Sequence, residues 1–297
     1  MGTNSILPFG TTAGTELTDA EYAADAQRLT GHQPGIAREH LANKQAHQAS
    51  VIAAGVAQYI ADRQATNVAD TLTPAQISDL LGNAAFGQLK RVIMLTNSGT
   101  YTPTNARVKA IRVTAQGAGG GGGASSGTGA GQLAAGAGGN SGATAQSYLT
   151  SGFSSVAYAV GAGGGGGNGG NGGTGGNTVF GGMTAPGGVG GTLGSAVTPP
   201  WIAPPQMNSA FASGGNIYNI STGTGQPGFP INNGSAFSGT GASTIFGQGP
   251  SGQSIGGGGG TAVNFGCGGG GALSGSSSGA FVGGPGAVGL IMIEEFE

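Results

Sequence analysis

The sequence predicts a mixed fold: an α-helical N-terminal region over residues 1–90 and, over 91–297, a β framework clamping a bundle of polyglycine-II helices. Three observations predict it. Of 69 glycines, nine precede Gly117 and the other 60 fall between Gly117 and Gly289, against a usual share of about 7% in proteins. Charge divides the chain at nearly the same place. All nine Lys and Arg lie at or before Arg112, and from Val113 to Ile293 there is no Asp, Glu, Lys, Arg or His. Apolar runs such as SSVAYAV and GAVGLIMI are present nonetheless. Disordered segments are highly charged and poor in apolar residues, so this uncharged stretch reads as folded.

The helices come first. In TDAEYAADAQRLT, residues 18–30, Thr18 and Glu21 stand at capping-box spacing and Gly31 ends the pattern, as for a short helix. A longer helix is expected from about Ile36 to Ala65, with Leu41, Ile52, Val56, Tyr59 and Ile60 as its apolar seam among many alanines. TPAQISDLL opens a third, with Thr73 as N-cap and Pro74 in the first turn. Their apolar faces are thin, and self-association is a way to bury them.

From LKRVIML onward the period changes to two. Ile111, Val113 and Ala115 share one face and Arg112 and Thr114 the other, as in a half-buried strand. AQSYLT, SSVAYAV and VGLIMIEEF are further strands, and the first and last are expected near each other in one sheet.

Between the strands lies GGNGGNGGTGGN, residues 166–177. A polyproline-II chain makes three residues per turn and no internal hydrogen bonds. Asn168, Asn171, Thr174 and Asn177 would then fall on one edge, with the other two edges bare. Bare edges let neighbours approach backbone to backbone, and each buried N–H and C=O must find a partner on an adjacent rod. Such a lattice would be a rigid platform without an oily interior. An ionised side chain inside it would be buried uncompensated, which accounts for the missing charges. Collagen would need a sustained Gly-X-Y register, and silk-like stacking long Gly-Ala runs; neither is present. T-[VI]-F-G recurs in NTVFGGMTAPGGVGG at 177–191 and STIFGQGPSGQSIGG at 243–257, with Phe180 and Phe246 expected to cap a bundle or dock it on the sheet.

The succession RVTAQGAGGGGG, VAYAVGAGGGGGNGG, NTVFGGMTAPGGVGG and GGPGAVGLIMIEEF resembles the glycine-rich domain of bacteriophage tail-fibre and adhesin proteins. The opening, MGTNSILPFGTTAGTELTDAEYAADAQRLTGHQPGIAREHLANKQAHQASVIAAGVAQYIADRQA, is similar to an N-terminal module of tail fibres from phages and prophages of Gram-negative bacteria. The resemblance implies a homotrimeric virion fibre, made in the host cytoplasm. Residues 1–90 would be the attachment and trimerisation region, joined to other tail or baseplate proteins, and loops of the glycine-rich domain would bind a bacterial surface receptor: lipopolysaccharide, an outer-membrane protein or a pilus. A tail-fibre assembly chaperone is a further implied partner. A structural tail or baseplate component that never touches the host is the alternative, and an ice-binding or surface-coat polyglycine-II protein a third.

One departure from the family's layout is an insert at about 192–243, less dense in glycine. It holds the candidate receptor-binding residues Trp201, Met207, Phe211, Tyr218, Phe229 and Phe237, with Trp201 between two Pro-Pro pairs. Proline stiffens a loop beforehand, and aromatics give large contact area for few frozen torsions. No catalytic residues, metal or cofactor are expected. Polysaccharide hydrolysis calls for paired carboxylates, which residues 113–293 lack. His32, His40 and His47 have no ligand set around them to complete a zinc pattern, and a phosphate-binding loop needs a lysine that never follows Lys109. A net charge of −2 with no Arg among the glycines argues against nucleic acid. Cys267, the single cysteine, cannot form an intrachain disulfide and reads as a small buried hydrophobe. No signal peptide is visible, and no apolar run approaches the roughly 20 residues of a membrane span.

Overall fold

The computed structural model describes residues 17–30, 38–64, 67–69, 71–84, 87–207 and 210–297. The Gly31 helix stop and His32 lie outside the described residues. The chain divides into two units, 1–88 and 89–297.

In the first unit, Thr18 opens helix α1 (Asp19–Ala24) with a capping box: its hydroxyl accepts from the Glu21 amide, and its own amide donates to the Glu21 carboxylate at 2.9 Å. The Thr18 hydroxyl, donating to the Glu21 carboxylate at 2.7 Å, and then the Thr18 amide hold the Glu21 carboxyl below its usual range. The helix breaks at Asp25 and resumes as α2 (Ala26–Thr30), where the sequence reads as one helix. The long helix α3 (Glu39–Gln64) is joined to α1 by a Lys44–Asp19 ion pair of 2.6 Å. Thr73 and Gln76 repeat the reciprocal cap at the start of α4 (Pro74–Ala84).

The expected α3 seam needs correction. Leu41 and Ile60 are buried, but Ile52, Val56 and Tyr59 are exposed. The face that α4 covers carries Ala57, Ile60 and Ala61, packed with Val68, Ala84, Ile77 and Leu80. Alanines let a second helix come close, and at about 100° per residue Ile52 and Val56 point to a different side, while Tyr59 lies at the edge and its hydroxyl donates to the Ala84 carbonyl at the end of α4 at 3.3 Å.

The second unit begins as a sandwich. Its strands are β1 (Leu89–Leu95), β2 (Gly99–Tyr101), β3 (Ala110–Gln116), β4 (Ala134–Ala135), β5 (Thr144–Leu149), β6 (Val156–Ala159), β7 (Thr178–Phe180), β8 (Met183–Ala185), β9 (Tyr218–Ile220), β10 (Phe229–Asn232), β11 (Ser235–Phe237), β12 (Leu273–Ser274) and β13 (Leu290–Phe296). One antiparallel sheet runs β1-β13-β3-β5-β9, so the C-terminal strand lies between the first and third strands of the unit. A second sheet, β2-β6-β7-β8, packs on it. Ile111, Val113 and Ala115 meet Ile291, Ile293, Phe180 and Met183 in an apolar core. An oily interior is therefore present after all. It is largest between the two sheets, where alternating strands supply side chains of sufficient size; two smaller apolar clusters, of Leu133, Ala135, Ala236 and Leu273 and of Ala262, Cys267 and Ala287, lie among the rods.

Two acids of the C-terminal strand are tied down. Buried Glu295 accepts from the Tyr101 hydroxyl at 2.7 Å and the Thr104 amide at 3.0 Å. Burial, reinforced by that carboxylate, pushes the Tyr101 hydroxyl pKa well above its ordinary value. Glu294 receives Nε and Nη2 of Arg112 at 2.5 and 2.6 Å.

Beyond Gln116 the strand becomes a rod of a different kind. Amides 117, 120 and 123 donate to carbonyls 143, 140 and 137; amides 118, 121 and 124 to 176, 173 and 170; amides 119, 122 and 125 to 287, 284 and 281, all at 2.8–3.2 Å. Successive amides thus point to three different neighbours, each running antiparallel, and the direction repeats every third residue. The carbonyls follow the same rule. Those of 118, 121 and 124 accept from 188, 191 and 194; those of 119 and 122 from 164 and 167; those of 120 and 123 from 269 and 272. These three neighbours run parallel. Residues 117–125 are buried with six chain segments around them.

Glycine is required here by distance. A β-carbon on Gly119 would overlap the Cys267 carbonyl oxygen, and one on Gly122 the Gly270 carbonyl. Cys267 itself is buried, its Sγ 3.2 Å from the Gly247 carbonyl oxygen.

The 166–177 repeat is not one rod. It turns at Asn168–Gly170, with Gly169 at φ +69°, and comes back antiparallel on itself, Gly173 N–H donating to Gly165 and Gly176 N–H to Ala162. Asn168 sits in the turn. Asn171 and Asn177 lie on the exposed edge of the returning rod and accept the Leu193 and Gly187 amides at 2.8 and 3.1 Å. Phe180 is buried in the sandwich, 5.9 Å from Tyr101, whereas Phe246 stands edge-on to Phe265.

Candidate functional site

The insert leaves the rods at Gly194, whose amide is still bonded to Ala124, meets them again at 223–226, where the Ser141 and Gly138 amides donate to the Gly223 and Gln226 carbonyls, and rejoins them at Gly239, whose amide donates to Gly136. Asn140, buried in the returning central rod, anchors it between these points: its Oδ1 accepts from the Gly225 amide at 2.9 Å and its Nδ2 donates to the Gln206 carbonyl at 3.0 Å. Ser141 adds a bond from the Gly223 amide.

Strands β10 and β11 form a hairpin turned at Asn233-Gly234, with the Gly234 amide held by the Asn232 side chain. Phe229 and Phe237 stand opposite each other across it. The other edge of β10 is occupied by the 201–203 segment, through Trp201 N–H to Pro230 and the Ala203–Gly228 bridge. The hairpin is seated by Ala236, which packs with Leu133, Ala135 and Leu273. Those residues lie where the rods have run farthest from the sandwich, since 117–125 leaves β3 and 136–143 returns into β5.

Three of the six expected residues meet there. Trp201 and Phe229 line a groove of about 550 Å³ with Pro200, Ile202, Pro230 and Ile231. Phe229 and Phe237 line a second of about 490 Å³ with Ile231, Gln226 and Thr240. Trp201 is 56% exposed and Phe237 49%. The other three are elsewhere. Met207 stands at 86% exposure on the loop after Gln206. Phe211 pairs with Ser221, and Tyr218 lies on β9 beside Gln146 of β5, at the sandwich end. Burial raises the Tyr218 hydroxyl pKa, with nearby Arg112 opposing.

Sequence reasoning overlooked Ile202 and Ile231, which supply much of the groove walls. A signal for them exists, because Asn-Gly between FPIN and SAF marks a hairpin and places Phe229 and Ile231 on one face. It also overlooked Asn140, a polar residue in a glycine rod. Neither groove is lined by a charged side chain, and the second carries the hydroxyls of Ser238, Thr240 and Ser251. Among the described residues, no three His, Cys, Asp or Glu come together as a metal site, and no helix is long and apolar enough to cross a membrane. No protein-family model matches the chain, and comparison with curated proteins finds no match.

Proposed function

We propose that this chain is a phage tail fibre or tail-tip adhesin whose glycine-rich unit is a polyglycine-II bundle presenting a receptor-binding surface at Trp201, Phe229 and Phe237. The polyglycine-II reading is supported by the three-residue rotation of amide direction along 117–125, which matches a helix of three residues per turn. The nine residues 117–125, at about 3.1 Å rise each, put the hairpin roughly 28 Å from the sandwich. Amides of the central rod exchanging with solvent within seconds, while sandwich amides stay protected, would refute the bundle.

The observation that carries the binding reading is the exposed aromatic surface on a backbone fixed from both edges. A cluster of Trp, Phe, Ile and Pro open to water on a preordered hairpin is suited to contact rather than to stability. The tail-fibre identity rests on the sequence resemblance, and homotrimerisation on the exposed α3 side chains Ile52 and Val56. Three copies would raise avidity without improving any single contact.

The test is binding of the labelled full chain to a panel of Gram-negative cells. Retention on cells, lost in Trp201→Ala, is expected. A well-folded chain that binds none of the panel, yet assembles into tails, would assign it instead as a structural tail component.

A further inference from the structure

We infer that the hairpin surface takes an uncharged stretch of polypeptide bearing two apolar side chains, one in each groove beside Phe229; this rests on the recognition reading above and names its ligand class. Phe229 and Ile231 form a ridge shared by both grooves. Both edges of β10 are already bonded, to β11 and to 201–203, so a ligand strand cannot add there. A ligand seated over β10 therefore binds through side chains entering the two troughs.

Charge narrows the ligand further. With no Asp, Glu, Lys, Arg or His from 113 to 293, a phosphate or carboxylate pressed onto this surface would lose hydration and find no counter-charge. A sugar fares poorly in the Trp201 groove. Among Pro200, Ile202, Phe229, Pro230 and Ile231 the Trp201 indole N–H is the sole side-chain hydrogen-bonding group, so most ring hydroxyls would be dehydrated without partners. The second groove adds Gln226, Ser238, Thr240 and Ser251, neutral groups that both donate and accept and so suit the amides of a peptide backbone. Both troughs are open, as the exposure of Trp201 and Phe237 requires, which favours a protein segment laid across them over an acyl chain needing enclosure.

The test presents the full chain to three immobilised sets. One is 12-residue peptides with two apolar side chains, each in an uncharged form and a form with Lys or Glu beside the apolar pair. The second is a glycan array, and the third vesicles of anionic phospholipid with lipid A. Expected is at least about a tenfold preference for the uncharged peptides, nearly unchanged between about 50 and about 500 mM salt. Trp201→Ala and Phe229→Ala should each weaken it about tenfold or more, as buried anchors do. Ile202→Ser, at an exposed side chain, checks the Trp201 groove by a second variant that leaves the fold intact. Preference for glycans or vesicles, equal binding of charged and uncharged peptides, no peptide binding, or indifference to all three substitutions overturns the inference. Cell binding that persists alongside a glycan preference sinks this inference alone. Peptide binding without any cell binding sinks the adhesin reading and leaves the peptide site standing.

Discussion

The sandwich and the rods of residues 89–297 solve the same packing problem in opposite ways. In the sandwich, Ile111, Val113, Ile291 and Ile293 interpose side chains between two sheets, and burial of apolar surface holds the layers together. In the rods, glycine removes the side chain at the closest approaches and leaves mostly small buried ones such as Ala118, Ala124 and Cys267, and each amide of 117–125 reaches a carbonyl on another pass of the chain. Stability then comes from satisfied backbone groups and close dispersion contact, with each bond worth about 1 kcal/mol net. The difference teaches where a substitution can be absorbed. A side-chain core can repack around a lost methyl group; a lattice of backbones cannot yield to an added one.

The strongest way to break this comparison is Gly119→Ala. Its new methyl group would occupy the position of the Cys267 carbonyl, a backbone atom fixed by the Ala287 amide at 2.9 Å. The expected loss exceeds about 4 kcal/mol, seen as a collapsed melting temperature or insoluble protein. A melting temperature within a few degrees of the parent would mean that the rods are loosely spaced.

Next comes Ile111→Ala in the sandwich, where deletion of a buried aliphatic side chain is expected to cost about 2–5 kcal/mol. Adding one carbon to a rod should therefore hurt more than removing three from the oily core. Denaturant midpoints of the two variants, compared with the parent, decide it. The reverse order would place the cooperative core of the unit in its sheets.

Asn140→Ala acts on the connection between the bundle and the insert. It leaves the Gly225 amide and Gln206 carbonyl without their partner, at a cost of about 1–3 kcal/mol. The loss should fall locally. Limited proteolysis is expected to cut within 195–237 well before the rods, and equal cutting rates in variant and parent would remove Asn140 from the role of anchor.

Legibility followed the same division. Where side chains carry the signal, the sequence was readable: Thr18–Glu21 and Thr73–Gln76 form their caps, and Ile111, Val113 and Ala115 share the buried face. The α3 seam misled because Ile52, Val56 and Tyr59 outweigh Ala57 and Ala61 in hydrophobicity, although the alanines are what admit α4. In the glycine tracts the three-residue period was legible within a rod but not where a rod ends. GGNGGNGGTGGN has the same pattern on both sides of its turn at 168–170, and nothing in it separates the Asn that turns from the Asn that bonds a neighbour. Likewise the aromatics of the insert stood out by type, while their division between the hairpin and the β9 edge depends on pairings with distant residues.

The smallest expected effect sharpens the comparison most. Gly165 immediately precedes that repeat and lies one residue from Gly164, whose amide bonds Gly119, yet a β-carbon on Gly165 meets nothing within 4 Å and the residue is exposed. If glycine serves the rods by letting backbones touch, Gly165→Ala should change stability by no more than about 0.5 kcal/mol. It should move upward if anything, because alanine narrows the unfolded ensemble. If glycine instead serves by its freedom to adopt the rod conformation, Gly165→Ala and Gly119→Ala should be damaging to similar degrees. Paired melting curves of the two variants therefore separate contact from conformation. A large loss at Gly165 would reassign the glycines from spacing to backbone freedom, and the account of why this unit excludes side chains would have to be rebuilt on torsion angles.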